Sequence, residues 1–232
     1  MALKKILFGS ILLLVVHHAE AQFGVNVRYS TNNFNNWSGI TRTASGGPIF
    51  ENHLELGLDY WFKPNEYRAE YLIELSYGNQ TTTLLGDREY SLDMYTFGVK
   101  SNLYILDFRG DCDCPTFKKE GNFLKKGFFL QWSAHAGYWQ KAVNIFNETD
   151  TNLAIDIGGG IGIDIGVSDL LTITPVLSYQ YFPWLTWEQF GLRHGIGGLD
   201  NLNAKINADM IKFGIRVGLR PDFLKEQRVL RR

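Results

Sequence analysis

Residues 212–220 read KFGIRVGLR, in which Phe213, Ile215, Val217 and Leu219 are apolar and the positions between them are basic or glycine. A period of two indicates a β-strand, because successive side chains of a strand point to opposite faces. One face here is wholly apolar and the other carries charge. The stretch therefore predicts a strand that separates an apolar environment from a polar one.

Seven further segments repeat this alternation, at residues 23–29, 54–62, 70–77, 95–100, 128–138, 153–165 and 171–180. Eight such segments predict an all-β fold, a closed antiparallel up-and-down transmembrane barrel of about eight strands. Closure removes the unpaired sheet edges that lipid does not tolerate. The apolar face should point outward at Leu56, Ile73, Phe97, Leu130, Ile157, Ile173 and Ile215. A secreted soluble β-sandwich would show the same period and is the alternative.

Aromatic residues favour the membrane barrel, because they gather at strand ends, at residues 60–62, Tyr77 and residues 179–184. Rings at the ends with aliphatic residues between them are typical of interfacial girdles. No run after Val16 approaches the roughly 20 apolar residues of a membrane helix. A membrane protein of this composition is therefore expected to be a barrel.

The N-terminus has the three parts of a secretory signal: Lys4 and Lys5, an apolar run over residues 6–16, and small residues at Ala19 and Ala21. We predict cleavage after Ala21. From 23 basic and 24 acidic residues the mature chain keeps 21 and 23, a net charge of −2. Without a basic excess, nucleic acid is not expected as a partner. The expected partner is outer-membrane lipid.

About 210 mature residues make one domain. We place the barrel at residues 22–221 and a basic C-terminal tail at residues 222–232. Long connections at 30–50, 79–89, 142–150 and 183–203 are assigned to the outside, and short turns at 63–66 and 167–169 to the periplasm, following the rule for barrels. The connection at 106–126 is longer than this rule predicts, and its role stays open.

Cys112 and Cys114 lie within that connection, one residue apart. An exported protein meets an oxidising environment, yet this spacing is poor for an unstrained local disulfide. A local or intermolecular disulfide and free thiols both stay open. A metal site is not expected, because a zinc site needs about four ligands and no others lie nearby.

The inward face carries many charges, and the lumen of an eight-stranded barrel is almost filled by side chains. Such charges need partners. We predict a polar lumen network formed by Arg28, Glu55, Asp59, Glu70, Glu74, Lys100, Lys212 and Arg216. If the first strand lies between the second and last strands, Arg28 or Arg216 should reach Glu55 or Glu74.

Ser133 and His135 also face inward, and the next hairpin should bring Asp156 or Gly158 opposite His135. A Ser–His–Asp set is therefore geometrically conceivable. A hydrogen-bonded polar plug explains the same residues without catalysis, and we expect Ser133 not to be a nucleophile. The glycines of residues 158–162 lack the Lys-Ser/Thr of a phosphate loop; they are expected to leave room for Trp139 or Gln180.

Three stretches carry a family resemblance: AQFG at residues 21–24, CDCPTF at 112–117 before KGFF at 126–129, and FGIRVGLR at 213–220. On them the chain resembles the small outer-membrane β-barrel proteins of the Bacteroidetes type, with an OmpA-like or porin-family-like barrel domain. The resemblance covers most of residues 22–221 and implies an outer-membrane barrel with no defined substrate. One departure is that such barrels end on an aromatic residue, whereas this chain continues to Arg232.

Together these observations predict a non-enzymatic outer-membrane barrel, without cofactors, that is structural or presents its outer loops to a partner. A narrow channel for small solutes is the first alternative, and a lipid-modifying barrel enzyme is the second.

Overall fold

In the computed structural model of the chain, the described residues are 22–34, 52–62, 69–84, 88–107, 127–143, 148–168, 170–186 and 205–219. The predicted signal peptide, Cys112, Cys114 and the C-terminal tail lie outside them. For these segments the sequence predictions stay predictions.

The described residues form one antiparallel sheet of nine strands. They are β1 (Gln22–Phe34), β2 (Asn52–Phe62), β3 (Ala69–Leu84), β4 (Arg88–Leu103), β5 (Phe128–Val143), β6 (Glu148–Ile163), β7 (Ile165–Gly166), β8 (Leu171–Thr186) and β9 (Lys205–Leu219). The two-residue β7 continues β6 beyond Asp164, so the barrel has eight strand positions. Strands adjacent in the chain pair with each other, except β6 and its continuation β7, which both pair with β8; β1 pairs with β9 and closes the sheet. The predicted closed eight-stranded antiparallel barrel is confirmed.

The two faces of this sheet have the polarity predicted from the sequence. Outward residues are large and apolar, and Leu58 and Leu75 are 64% and 62% exposed. Inward Glu55, Asp59 and Glu74 are at most 5% exposed. Charge inside and apolar surface outside is the arrangement of a transmembrane barrel. Of the seven residues expected to face outward, five are exposed and two are half-buried on the same face, Leu130 and Ile173.

Two aromatic belts border the apolar outer surface. At the end where β1 starts, which we call the proximal end, Phe23 packs on Tyr60 and Phe62 stacks on Tyr71, each pair with ring centroids 5.6 Å apart. At the opposite, distal end, Tyr77 and Tyr95 lie 5.1 Å apart. The six-residue step from Tyr71 to Tyr77 along β3 spans about 20 Å, comparable with the apolar band of a membrane barrel.

The strands extend further at the distal end than the sequence predicted. The pairing of β3 with β4 continues beyond the apolar segment into polar residues, from Asn79 opposite Asp93 to Leu84 opposite Arg88. Backbone hydrogen bonding does not stop where the apolar alternation stops, so the predicted outer connections were too long. The strand ends that lie inside those connections are Phe34, Leu84, Arg88, Val143, Glu148 and Thr186.

The proximal turn before β8 is as short as predicted. The backbone N–H groups of Val167 and Ser168 both donate to the carbonyl of Leu171, at 3.0 and 3.2 Å. Of the predicted connection at 106–126, the described part lies in a short 3-10 turn, Ile105–Asp107. No helix among the described residues is long and apolar enough to cross a membrane.

Candidate functional site in the barrel lumen

Inward side chains fill the lumen in three layers. The charged layer, in the middle, consists of Arg28, Glu55, Asp59, Glu74, Lys100, Lys212 and Arg216. The distal apolar layer consists of Leu92, Met94, Trp139, Ala154, Phe182, Ala208 and Met210. The proximal layer consists of Trp61, Glu70, Leu72, Tyr104, Phe129 and Asp164. Apart from half-buried Lys100 and Arg216, every member is at most 9% exposed.

Glu74 on β3 is one centre of the charged layer. Arg28 Nη1 donates to its Oε1 at 2.6 Å, and Lys100 Nζ donates to its Oε2 at 2.6 Å. Asn26 Nδ2 donates to the same Oε2 at 2.9 Å. The Glu74 carboxylate therefore binds Lys100 from the neighbouring strand β4 with one oxygen and Arg28 from β1, two strands away on the other side, with the other.

Glu55 on β2 is the second centre. Arg28 Nη2 lies 3.0 Å from its Oε2, and Lys212 Nζ donates to its Oε1. His53 Nε2 lies 3.1 Å from Oε1, while Asn32 Nδ2 donates to His53 Nδ1 at 3.1 Å. Nδ1 thus accepts and Nε2 donates, which fits a neutral imidazole. The sequence predicted that Arg28 or Arg216 would reach Glu55 or Glu74, and in the structure Arg28 contacts both carboxylates.

Arg216 takes a different partner from the one the sequence suggested. Its Nε and Nη2 donate to Asp59 Oδ2 and Oδ1 at 2.9 and 2.6 Å, a bidentate pair. The guanidinium also lies 5.6 Å from the ring centroid of Trp61. The charged layer therefore contains an Arg216–Asp59 pair and a larger network on Arg28, and Asn26 Nδ2 links them by donating to Asp59 Oδ2 at 3.4 Å and to Glu74 Oε2 at 2.9 Å.

The distal apolar layer was not identified from the sequence. Trp139 on β5 and Phe182 on β8 meet edge to face, with centroids 5.1 Å apart. On the β1–β3 side the same level is polar, where Asn32 Nδ2 donates to Gln80 Oε1 at 3.2 Å. Leu92 and Met94 follow the same alternation as the inward residues of β4. They precede residues 95–100, the segment from which this strand was predicted, so the sequence analysis did not assign them to the lumen. Packed apolar side chains therefore lie between the charged layer and the distal opening.

Tyr104 joins two acids in the proximal layer. Its hydroxyl lies 2.7 Å from Glu70 Oε2 and in close contact with Asp164 Oδ2. Thr174 donates to the other oxygen of Asp164, and the Tyr104 ring packs 5.6 Å from Phe129. Glu70 thus belongs to this cluster. Tyr104 directly follows β4, where the alternation of apolar and polar residues has ended, so the sequence did not predict its inward position.

The structure joins only part of the Ser–His–Asp set. His135 Nδ1 lies 2.7 Å from Asp156 Oδ1, and these residues are directly opposite on β5 and β6. Within the described residues, however, His135 Nε2 has no hydrogen-bond partner. Nε2 is the nitrogen that would have to accept a proton from Ser133. The set therefore lacks the contact between nucleophile and base.

Glycines make room for large lumen side chains. A Cβ at Gly98 would overlap the imidazole of His135, and one at Gly162 would overlap the ring of Phe129. A Cβ at Gly158 would lie 2.9 Å from Gln180 Cγ, as the sequence suggested. The same expectation was wrong for Trp139, whose indole lies over Gly137 instead.

A small cavity of about 30 Å³ is left between the charged and proximal layers. Its lining includes Arg28, Glu74, Lys100, Arg216 and Phe129. Among the described residues, no three His, Cys, Asp or Glu side chains are arranged to hold a metal ion. The described lumen thus offers space for one or two small occupants.

No protein-family model matches the chain, and no curated protein sequence matches it either. Several solved structures are similar in backbone. Neisserial surface protein A has 9% sequence identity and a TM-score of 0.49, with 87% of this chain and 97% of that chain covered. The Yersinia pestis attachment invasion locus protein Ail, in complex with the heparin analogue sucrose octasulfate, has 10% identity and a TM-score of 0.42, with 86% and 99% covered. Outer membrane protein OprG of Pseudomonas aeruginosa has 9% identity and a TM-score of 0.38, with 87% and 96% covered. At such identities no binding property passes from these proteins to this chain.

Proposed function

We propose that this chain is a closed, non-enzymatic β-barrel of a bacterial outer membrane that holds the connections at its distal end on the cell surface. The filled lumen is the observation that carries the proposal. Among the described residues, ion pairs occupy its middle, packed side chains lie on both sides of them, and the cavity between the charged and proximal layers measures about 30 Å³. A barrel that does not pass solutes is expected to act through its ends.

The placement in an outer membrane is supported by the outward apolar surface and its two aromatic belts, which are the features of outer-membrane barrels. The predicted signal peptide agrees with export. The short proximal turn at Val167 and Ser168 and the two long distal connections, 35–51 and 187–204, support a periplasmic proximal end, because periplasmic turns of such barrels are short and outer connections are longer. The distal connections 85–87 and 144–147 are also short and the proximal connection between β4 and β5 is long, so the orientation stays a proposal. The affiliation with the Bacteroidetes type stays a prediction from the sequence.

A solute channel, the first alternative, would need a continuous path of water. The Trp139–Phe182 contact and the paired charges oppose such a path. The enzyme alternative would need Ser133 to contact His135. We expect a serine-directed phosphonate probe to leave Ser133 unlabelled; labelling that disappears in His135→Ala would support the enzyme instead.

Surface labelling tests which end faces outward. In a Cys112→Ser, Cys114→Ser background, single cysteines are introduced at Asn52, the exposed distal start of β2, and at Ser168, the exposed proximal turn. A membrane-impermeant maleimide added to intact cells should label Asn52→Cys and spare Ser168→Cys, whereas both should react after lysis. Labelling of Ser168→Cys alone in intact cells would reverse the orientation and contradict the proposal.

A further inference from the structure

The cavity between the charged and proximal layers has a lining of mixed polarity. Asn26 and Arg28 line it from β1, two residues apart on the inward face. Arg28 Nε is a buried donor and Asn26 Oδ1 is a buried acceptor, and neither has a hydrogen-bond partner among the described residues. Buried polar atoms are rarely left without a partner in folded proteins. The lining therefore offers one donor and one acceptor to an occupant.

The two side chains are anchored on the same carboxylate, that of Glu74. Arg28 Nη1 donates to its Oε1 at 2.6 Å, and Asn26 Nδ2 donates to its Oε2 at 2.9 Å. Thr174 lines the cavity from β8, and its hydroxyl donates to Asp164 Oδ1 in the proximal layer. A hydroxyl oxygen that donates its hydrogen can still accept. A second acceptor therefore lies on the proximal side of the cavity.

The charges around the cavity are balanced within the protein. Each cation of the lining already has a carboxylate partner: Arg28 has Glu55 and Glu74, Lys100 has Glu74, and Arg216 has Asp59. An added cation would be repelled by these three bases. An added anion would place an acceptor against the carboxamide oxygen of Asn26. The lining therefore fits a neutral occupant that both accepts and donates hydrogen bonds.

We propose that this cavity is a hydration site, in which one or two ordered water molecules accept from Arg28 Nε and donate to Asn26 Oδ1. A volume of about 30 Å³ holds one or two waters at roughly 10–15 Å³ each. Cavities that stay dry in folded proteins are lined by apolar groups. The second hydrogen of the water is directed to the Thr174 hydroxyl, so the water links the charged layer to the proximal layer.

The site requires neither passage of solutes nor a particular orientation of the barrel, so it does not depend on the function proposed above. NMR cross-relaxation in the full-length barrel in detergent micelles tests it. A rotating-frame cross-peak is expected between water and the Arg28 Nε–H, with the sign of a dipolar contact and not that of hydrogen exchange. Absence of this cross-peak would overturn the proposal.

A crystal structure of the same protein, grown in sodium bromide and at a resolution that shows ordered water, identifies the occupant. Density in the cavity without an anomalous peak is expected. An anomalous peak would show that the cavity takes an anion, and a cavity without density would show that it is dry. Either result would overturn the proposal.

A cavity-filling variant places the water. Val176 is half-buried and lines the cavity, so Val176→Ile adds a methyl group to the space assigned to water, and the Arg28 cross-peak should lose most of its intensity. Val217→Ile is the matched control, because Val217 points outward, is 37% exposed and does not line the cavity. That variant should keep the cross-peak.

Equal cross-peak intensities in the two variants would put the water outside the cavity and overturn the proposal. If Val176→Ile does not fold, the crystal structure and the cross-peak of the unchanged protein decide.

Discussion

The charged layer is built by β1–β4 and β9, whereas the distal apolar layer is built by β4–β6, β8 and β9, and the two fill the lumen through different interactions. Glu74 and Glu55 are fixed by direct contacts with cations on other strands, and Lys212 lies 157 residues from its partner Glu55. Trp139 and Phe182 are fixed by shape and buried area. Loss of one partner leaves a buried charge in the first layer, whereas it leaves a cavity in the second. One barrel thus closes its lumen in two ways, by ion pairing in the charged layer and by side-chain packing in the distal apolar layer.

The largest effect is expected in the charged layer. Glu74→Ala removes the shared acceptor of Arg28 and Lys100 and leaves two buried cations with fewer partners. The expected loss of unfolding free energy is about 3–5 kcal/mol, measured by urea titration of the folded barrel in lipid vesicles. Asp93→Asn is the matched control, because Asp93 accepts from Tyr77 and Asn79 at an exposed rim. Equal losses in both variants would remove the distinction between lumen and surface acids.

The next effect is expected in the distal apolar layer. Trp139→Ala should lower the free energy of unfolding by about 3 kcal/mol, the lower end of the range for such truncations. The loss is at the lower end because water from the distal opening can enter the space that the indole leaves. Trp132 on the same strand points outward and is 63% exposed, so Trp132→Ala tests the same chemical change outside the lumen. Its loss should be clearly smaller. A larger loss at Trp132 would mean that the distal layer is not a packed core.

Much of this arrangement was predictable from the sequence, because a period of two fixes which face each residue occupies. Arg28 opposite Glu55 followed from parity and from the pairing of neighbouring strands. The Arg216–Asp59 pair did not follow, because it depends on side-chain reach across β1. Tyr104 was missed because it lies just after the alternating segment. The contact of Glu70 with the Tyr104 hydroxyl could not be derived from charge alone.

A moderate effect is expected where a glycine supports a lumen side chain. Gly98→Ala places a methyl group against the His135 imidazole and should cost about 1–3 kcal/mol through overpacking. Gly159→Ala is the control, because its Cβ would meet only the Gln131 carbonyl oxygen, at 3.6 Å. Thermal melting followed by gel mobility should separate the two variants. Equal midpoints would mean that His135 is not packed on β4 as described.

The smallest effect is expected on the outer surface. Tyr77→Phe removes the hydroxyl that donates to Asp93 at 2.7 Å. An exposed hydrogen bond of this kind contributes about 1 kcal/mol or less, so the melting midpoint should shift only slightly. A shift as large as that of Glu74→Ala would show that the distal rim, and not the lumen, controls stability.

The three lumen layers together close the barrel, and single-channel recording in planar bilayers tests this closure most directly. The unchanged protein should insert without discrete conductance steps, while an open porin in the same bilayer conducts. A triple variant, Trp139→Ala with Glu74→Ala and Phe129→Ala, should show steps if it folds, because it opens all three layers. Regular conductance steps from the unchanged, folded barrel would contradict the account and make a narrow channel the better description.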